Sequence, residues 1–193
     1  MGLQMSEMFS VWKEKKTILV VILTAFIYAI LLIPFKQFSI IVGITELRPA
    51  GVIPVLFGIF FGPAAAWGSA IGNLVGDFFG TLTPASVFGF VGNFIYAYAA
   101  FRVWRLFVRK EEKEIKLRQF GVYFLAIAVA CLACAFVIAE GADLLGFVPF
   151  WVLFDIIFVN NLAMSAALGP IPLKLLSMGR SRKKAIEVNL KGS

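Results

Sequence analysis

Asn73 and Asp77 stand four residues apart in the apolar stretch Gly72-Asn-Leu-Val-Gly-Asp77. Four residues is about one helical turn, so an amide and a carboxylate share one face. An ionisable group inside an apolar helix is costly and marks a site by default. At the outer end of that helix, Asp77 equally fits a solvated or capping residue. Asn93 and Asp155 lie in two other apolar runs. Each is roughly 10–14 Å in from the nearest break, at ~1.5 Å per residue. Glu140 closes a further run at the same end, and Asn160 and Asn161 fall near the middle of theirs. The aromatic residues Phe88, Phe90, Tyr96, Phe150, Trp151 and Phe154 accompany them. Amides that read ring heteroatoms, carboxylates that accept donors and an indole that stacks (Trp151) describe a site for a small, flat, polar molecule. Phe150 and Trp151 also fit an aromatic belt at a membrane surface. Glu46 and Arg48 follow the first apolar run. They form either an exposed ion pair, worth little, or a gate over a ligand, with Arg48 suited to an anionic group.

No catalytic constellation accompanies these groups. The chain has no histidine, no H-E-x-x-H and no Walker G-x-x-x-x-G-K-[ST]. An enzyme, a resident cofactor and a metal site are therefore not expected, and any energy input must come from a partner or an ion gradient. Cys131 and Cys134 form a C-x-x-C inside the apolar run 128–136. Such a pair is reactive at an exposed helix start; in mid-run it reads as two small packing residues.

These groups need elements to position them, and composition says which. The 193 residues are 61% hydrophobic and 15% charged, with a mean hydropathy of +0.92. Soluble domains carry about 45–50% apolar and about 25% charged residues, and a chain this size cannot bury such an excess in one core. That excludes a soluble enzyme and a disordered chain, and leaves a polytopic membrane protein. The expected fold is all-α: one membrane domain over residues 1–193 with six transmembrane helices. The spans fall at about 17–35, 50–62, 64–80, 85–107, 119–139 and 148–176, and a basic tail covers 177–193. Residues 39–42 are β-branched enough to be extended, and the 140–146 stretch is expected to turn the chain. The first apolar run is long enough to be kept as a helix rather than cleaved as a leader. With six spans, 16 of the 18 basic residues lie on one side, leaving only Lys36 and Arg48 on the other. The positive-inside rule then puts both termini in the cytoplasm of a multi-pass cell-membrane protein. The net charge of +7 is topological on this reading, and nucleic acid is not an expected partner.

Ala64, Gly68, Gly72, Gly76 and Gly80 recur every four residues. This is a small-residue stripe that lets a neighbouring backbone approach and makes the third span central. The second and third spans are short and rich in glycine and proline, which points to a ligand near them. Ala25 and Ala29 form A-x-x-x-A in the first span, a flat patch for a close helix crossing.

The run Glu46-Leu-Arg-Pro-Ala-Gly-Val-Ile-Pro-Val-Leu-Phe-Gly58, then Phe61-Gly-Pro63, then Gly72 to Asp77, resembles the substrate-binding S-components of energy-coupling factor (ECF) vitamin transporters. It is similar to the folate- and pyridoxine-type members, and the motifs cover about residues 20–95. The resemblance implies six helices that bind a vitamin or related micronutrient near the extracellular side for ATP-driven uptake. It further implies docking on a membrane coupling subunit that bears two ATPases, with Ala25 and Ala29 at that contact. No full recognition signature for one vitamin is present. The expected substrate-binding set is Glu46, Arg48, Asn73, Asp77, Asn93, Glu140, Trp151 and Asp155, with Glu46 and Arg48 in the gate. A stand-alone carrier coupled to protons or sodium through Asp77, Asp155 or Glu140, and a sensory or scaffolding membrane domain, remain open alternatives.

Overall fold

The computed structural model describes residues 7–41, 44–80, 82–109 and 115–178. Residues 110–114 of the charged 109–118 loop and 179–193 of the basic tail lie outside the described residues. The fold is all-α with one small hairpin. α1 spans Lys15–Leu32 and runs through a 3-10 turn, Ile33–Gln37, with Pro34 near its start. Two short antiparallel strands follow, β1 (Ser39–Ile41) and β2 (Thr45–Glu46), with Ser39 opposite Glu46. The extended reading of the β-branched stretch is thus met for residues 39–41. A 3-10 turn, Pro49–Gly51, then leads into α2 (Val52–Phe61). α3 (Pro63–Asp77), α4 (Ser86–Phe107), α5 (Leu117–Leu144) and α6 (Phe150–Leu168) complete the bundle. The helices Lys15–Gln37, Leu117–Leu144 and Phe150–Leu168 are long and apolar enough to cross a membrane. α2 and α3 are short, at 10 and 15 residues.

α1 buries Val21, Thr24, Tyr28 and Leu32, a stripe at helical spacing, and exposes Leu19, Ile22, Phe26 and Ile30. Its buried face packs on α3, where the small-residue stripe does what its spacing foretold. A Cβ on Gly68 would lie 2.7 Å from the Val21 carbonyl oxygen, and one on Gly72 2.7 Å from that of Ala25. Both are closer than side chains tolerate, so the two helices touch backbone to backbone. The A-x-x-x-A patch adjoins this contact through Ala25. Ala29 is buried, and the Ala25 backbone lies against Gly72. The Ala25 side chain itself is partly exposed.

α3 packs on α4, α4 on α5 and on α2, and α5 on α6. Gly62, with φ of 62°, closes α2, and Pro63 opens α3 where its missing N–H costs nothing. The main core gathers Val55, Leu56, Tyr96, Ala100, Tyr123, Ile127, Cys131 and Cys134. Both cysteines are free and buried, as small packing residues should be.

Two expected boundaries move. α5 continues to Leu144 instead of turning at 140, because Gly141 is a contact and not a corner: a Cβ there would run into the Phe88 ring. The sixth span is not one helix over 148–176. α6 stops at Leu168 and helix resumes at residue 170, since Pro170 has no N–H to continue the ladder.

Candidate functional site

At the end of the bundle where α1 and α3 finish and α4 begins, four charged side chains from separate segments meet in the interior. Lys36 comes from the turn after α1, Glu46 from β2, Arg48 from the strand-to-turn link, and Asp77 from the last turn of α3. Lys36 Nζ donates to Asp77 Oδ1 at 2.9 Å and lies 3.2 Å from Glu46 Oε1. Arg48 Nε lies 3.0 Å from the same Glu46 oxygen. That contact pairs the charges without the alignment of a hydrogen bond. Arg48 Nη1 donates to Asn73 Oδ1 at 3.2 Å, and Asn73 Nδ2 donates to Asp77 Oδ2 at 3.2 Å. The one-turn spacing of Asn73 and Asp77 is what lets them bond each other and face the cations together.

Two cations against two carboxylates leave the cluster neutral in sum. That matters, because an unpaired buried charge would cost several kcal/mol. Burial alone would pull the Arg48 guanidinium's pKa down, but the Glu46 carboxylate, with Tyr28 and Asp77 adding to it, carries the value above ordinary. Glu46 is fully buried, at 0% exposure. Its second oxygen, Oε2, has no hydrogen-bond partner, and neither has the neighbouring buried Thr45 hydroxyl. A buried acceptor left open in this way is costly unless something else fills it.

Hydrogen-bonded amides and a phenol frame the charges. Tyr28 donates to Asn93 Oδ1 at 2.9 Å, and Asn93 Nδ2 donates to the Gly89 carbonyl at 2.8 Å. Gly89 presents its bare side to the site: a Cβ there would stand 3.0 Å from Asn73 Nδ2. Asn160 of α6 reaches in from the other side, donating to the Glu46 carbonyl at 2.9 Å.

Of the residues expected from sequence, Glu46, Arg48, Asn73 and Asp77 come together, and Asn93 adjoins them. Glu46 and Arg48 do pair, but inside the protein. Glu140, Trp151 and Asp155 are not brought to the cluster. All three are exposed, Trp151 at 70%, because they sit on the outer faces of α5 and α6. Trp151 instead meets Phe150 and Phe154 edge-on. Lys36, Tyr28, Gly89 and Asn160 were not in the expected set. For Lys36 a signal existed, as a lone cation beside an apolar span whose other flank holds the cationic cluster Lys13-Glu-Lys-Lys16.

A helical membrane bundle with a buried, charge-balanced polar cluster at one end, and no catalytic constellation among its residues, has the form of a membrane transport protein's substrate-binding unit. Residues 18–178 match the QueT transporter family, and the chain belongs to it. That makes it an S-component of the ECF type, the class its motifs resembled. No curated protein and no solved structure matches the chain.

Proposed function

We propose that this chain captures a small planar heterocycle at the Lys36–Glu46–Arg48–Asn73–Asp77 cluster for ATP-driven uptake. The substrate class is a queuosine precursor, a 7-deazaguanine, to which the family points. The observation that carries this reading is the open Oε2 of the fully buried Glu46 carboxylate. A guanine-like ring offers adjacent N–H donors on one edge and a carbonyl oxygen beside them. A carboxylate accepts such a pair of donors, while Arg48 and Lys36 supply donors for the carbonyl. A site built to bond donors rejects analogues that lack them strongly, because its own groups are then left bare.

The membrane arrangement proposed with it is a single domain of six spans with both termini cytoplasmic. The cluster then faces outside, consistent with the weight of cations on the opposite side. α2 and α3, too short to cross alone in regular form, are supported by being packed inside the bundle. Uptake requires a coupling membrane subunit with two ATPases, since no phosphate-gripping motif is present in this chain.

The test is calorimetric titration of the full chain with the queuosine precursor preQ1. Glu46→Gln keeps the shape but replaces an acceptor oxygen with a donor. It is expected to weaken binding about 100-fold. An unchanged dissociation constant in a folded Glu46→Gln protein would overturn the site.

A further inference from the structure

We infer that Asn160 is a positioning residue that clamps the Glu46–Arg48 segment into the site, an inference that rests on the reading above for what the segment binds. Residues 46–48 leave β2 and enter the bundle without helical hydrogen bonds. Irregular backbone among membrane helices persists only where its polar groups are answered by protein. The Leu47 N–H is answered by the hairpin itself, through the Phe38 carbonyl at 3.0 Å. The groups on either side of it are answered by one side chain. Asn160 Nδ2 donates to the Glu46 carbonyl at 2.9 Å, and Asn160 Oδ1 accepts from the Arg48 N–H at 3.4 Å. A single primary amide thus stands in for a neighbouring strand, and the two side chains it fixes are those that pair across the charged cluster.

The rest of α6 continues the clamp. Gly51 lies against Asn161, where a Cβ would be 3.2 Å from Asn161 Oδ1. Ser165 Oγ lies 3.5 Å from the Gly51 carbonyl, at the long limit of a hydrogen bond. Asn160, Asn161 and Ser165 are all buried in a helix that, apart from the exposed Asp155, otherwise reads as apolar. Asn160 sits about 15 Å along α6 from its start, a depth at which an amide with no partner would be expensive. Its two contacts to segment 46–48 account for it. Among the described residues, both hydrogen bonds of Asn160 go to the backbone of segment 46–48, so its action is through the segment.

The experiment measures hydrogen exchange of the full chain in nanodiscs without ligand, and preQ1 affinity by calorimetry. In Asn160→Ala, amides in peptides covering 44–51 are expected to exchange about tenfold faster, while α3 and α4 keep their protection. The preQ1 dissociation constant should rise about tenfold. Asn160→Asp keeps the acceptor for Arg48 N–H and loses the donor to Glu46. It should recover part of both effects, and it serves if the alanine variant does not fold. Unchanged exchange over 44–51 in either variant overturns the clamp. Faster exchange with an unchanged preQ1 constant overturns the positioning role. If the wild-type chain binds no preQ1, the substrate reading fails by itself, and the exchange comparison still decides the clamp.

Discussion

Among the described residues, two buried polar groupings are built on opposite terms. The first, around Glu46, carries four charges and leaves a carboxylate oxygen open. The second lies between α4, α5 and α6 and is neutral. Tyr96 and Ser165 hydroxyls lie 2.8 Å apart, Tyr123 donates to the Ser165 carbonyl at 2.7 Å, and Cys131 Sγ lies 3.6 Å from the Tyr96 oxygen. Every hydroxyl in it has a partner. Asn161 and Cys134 adjoin it with a 3.9 Å contact. A neutral, satisfied grouping fixes helix register and asks for nothing more. A charged grouping with an open acceptor retains capacity for a ligand, at a cost that structure alone would not favour. Burial and polarity are common to both groupings; the proposed site differs in its charge together with its open carboxylate oxygen.

The comparison breaks first, and most visibly, at Asp77. Asp77→Asn leaves Lys36 and Arg48 facing only Glu46, one uncompensated positive charge in the interior. The expected outcome is loss of measurable preQ1 binding together with a stability loss of about 3 kcal/mol. Titration calorimetry and denaturant unfolding in detergent read the two. Retained affinity would show that the charged cluster is architecture like its neutral counterpart.

The neutral grouping should behave in the contrary way. Tyr123→Phe removes the donor to the Ser165 carbonyl and leaves the ring in the core. It should cost about 1 kcal/mol of stability and leave the preQ1 dissociation constant within about twofold. A large affinity loss there would erase the distinction between the two groupings.

How much of this was legible in the sequence follows from what sequence spacing fixes. Asn73 and Asp77 were legible because the glycine stripe placed their helix at the centre and their spacing placed them on one face. Asn93 followed from its depth and is buried. The α1–α3 seam was legible in the glycine stripe, though its partner was not: the four-residue spacing says that a close crossing exists, and only the packing shows that α1 makes it. Lys36 was read as a marker of topology because a cation after an apolar run has that look. Its turn, with Pro34 near its start, carries it back into the protein between two carboxylates. Tyr28 sits in an apolar run where nothing local distinguishes a core hydroxyl from a lipid-facing ring. The family class was legible in the order of the motifs, and the particular family was not, since no recognition signature for a substrate stood out.

Asp155→Ala tests what an argument from depth leaves out. Depth put Asp155 beside Asn93, but depth fixes height along a helix and says nothing of the direction a side chain faces. At about 100° per residue, Asp155 points roughly 140° away from Asn160, and Trp151 about 180° away. Since Asn160 faces segment 46–48, the other two must face outward, and both are exposed. Asp155→Ala should therefore leave preQ1 affinity within about twofold and the melting temperature unmoved, as surface substitutions usually do. A tenfold loss of affinity by calorimetry would mean that α6 rotates when ligand binds. The Asn160 clamp could not then hold in the bound state, and the charged cluster would be only half of the site.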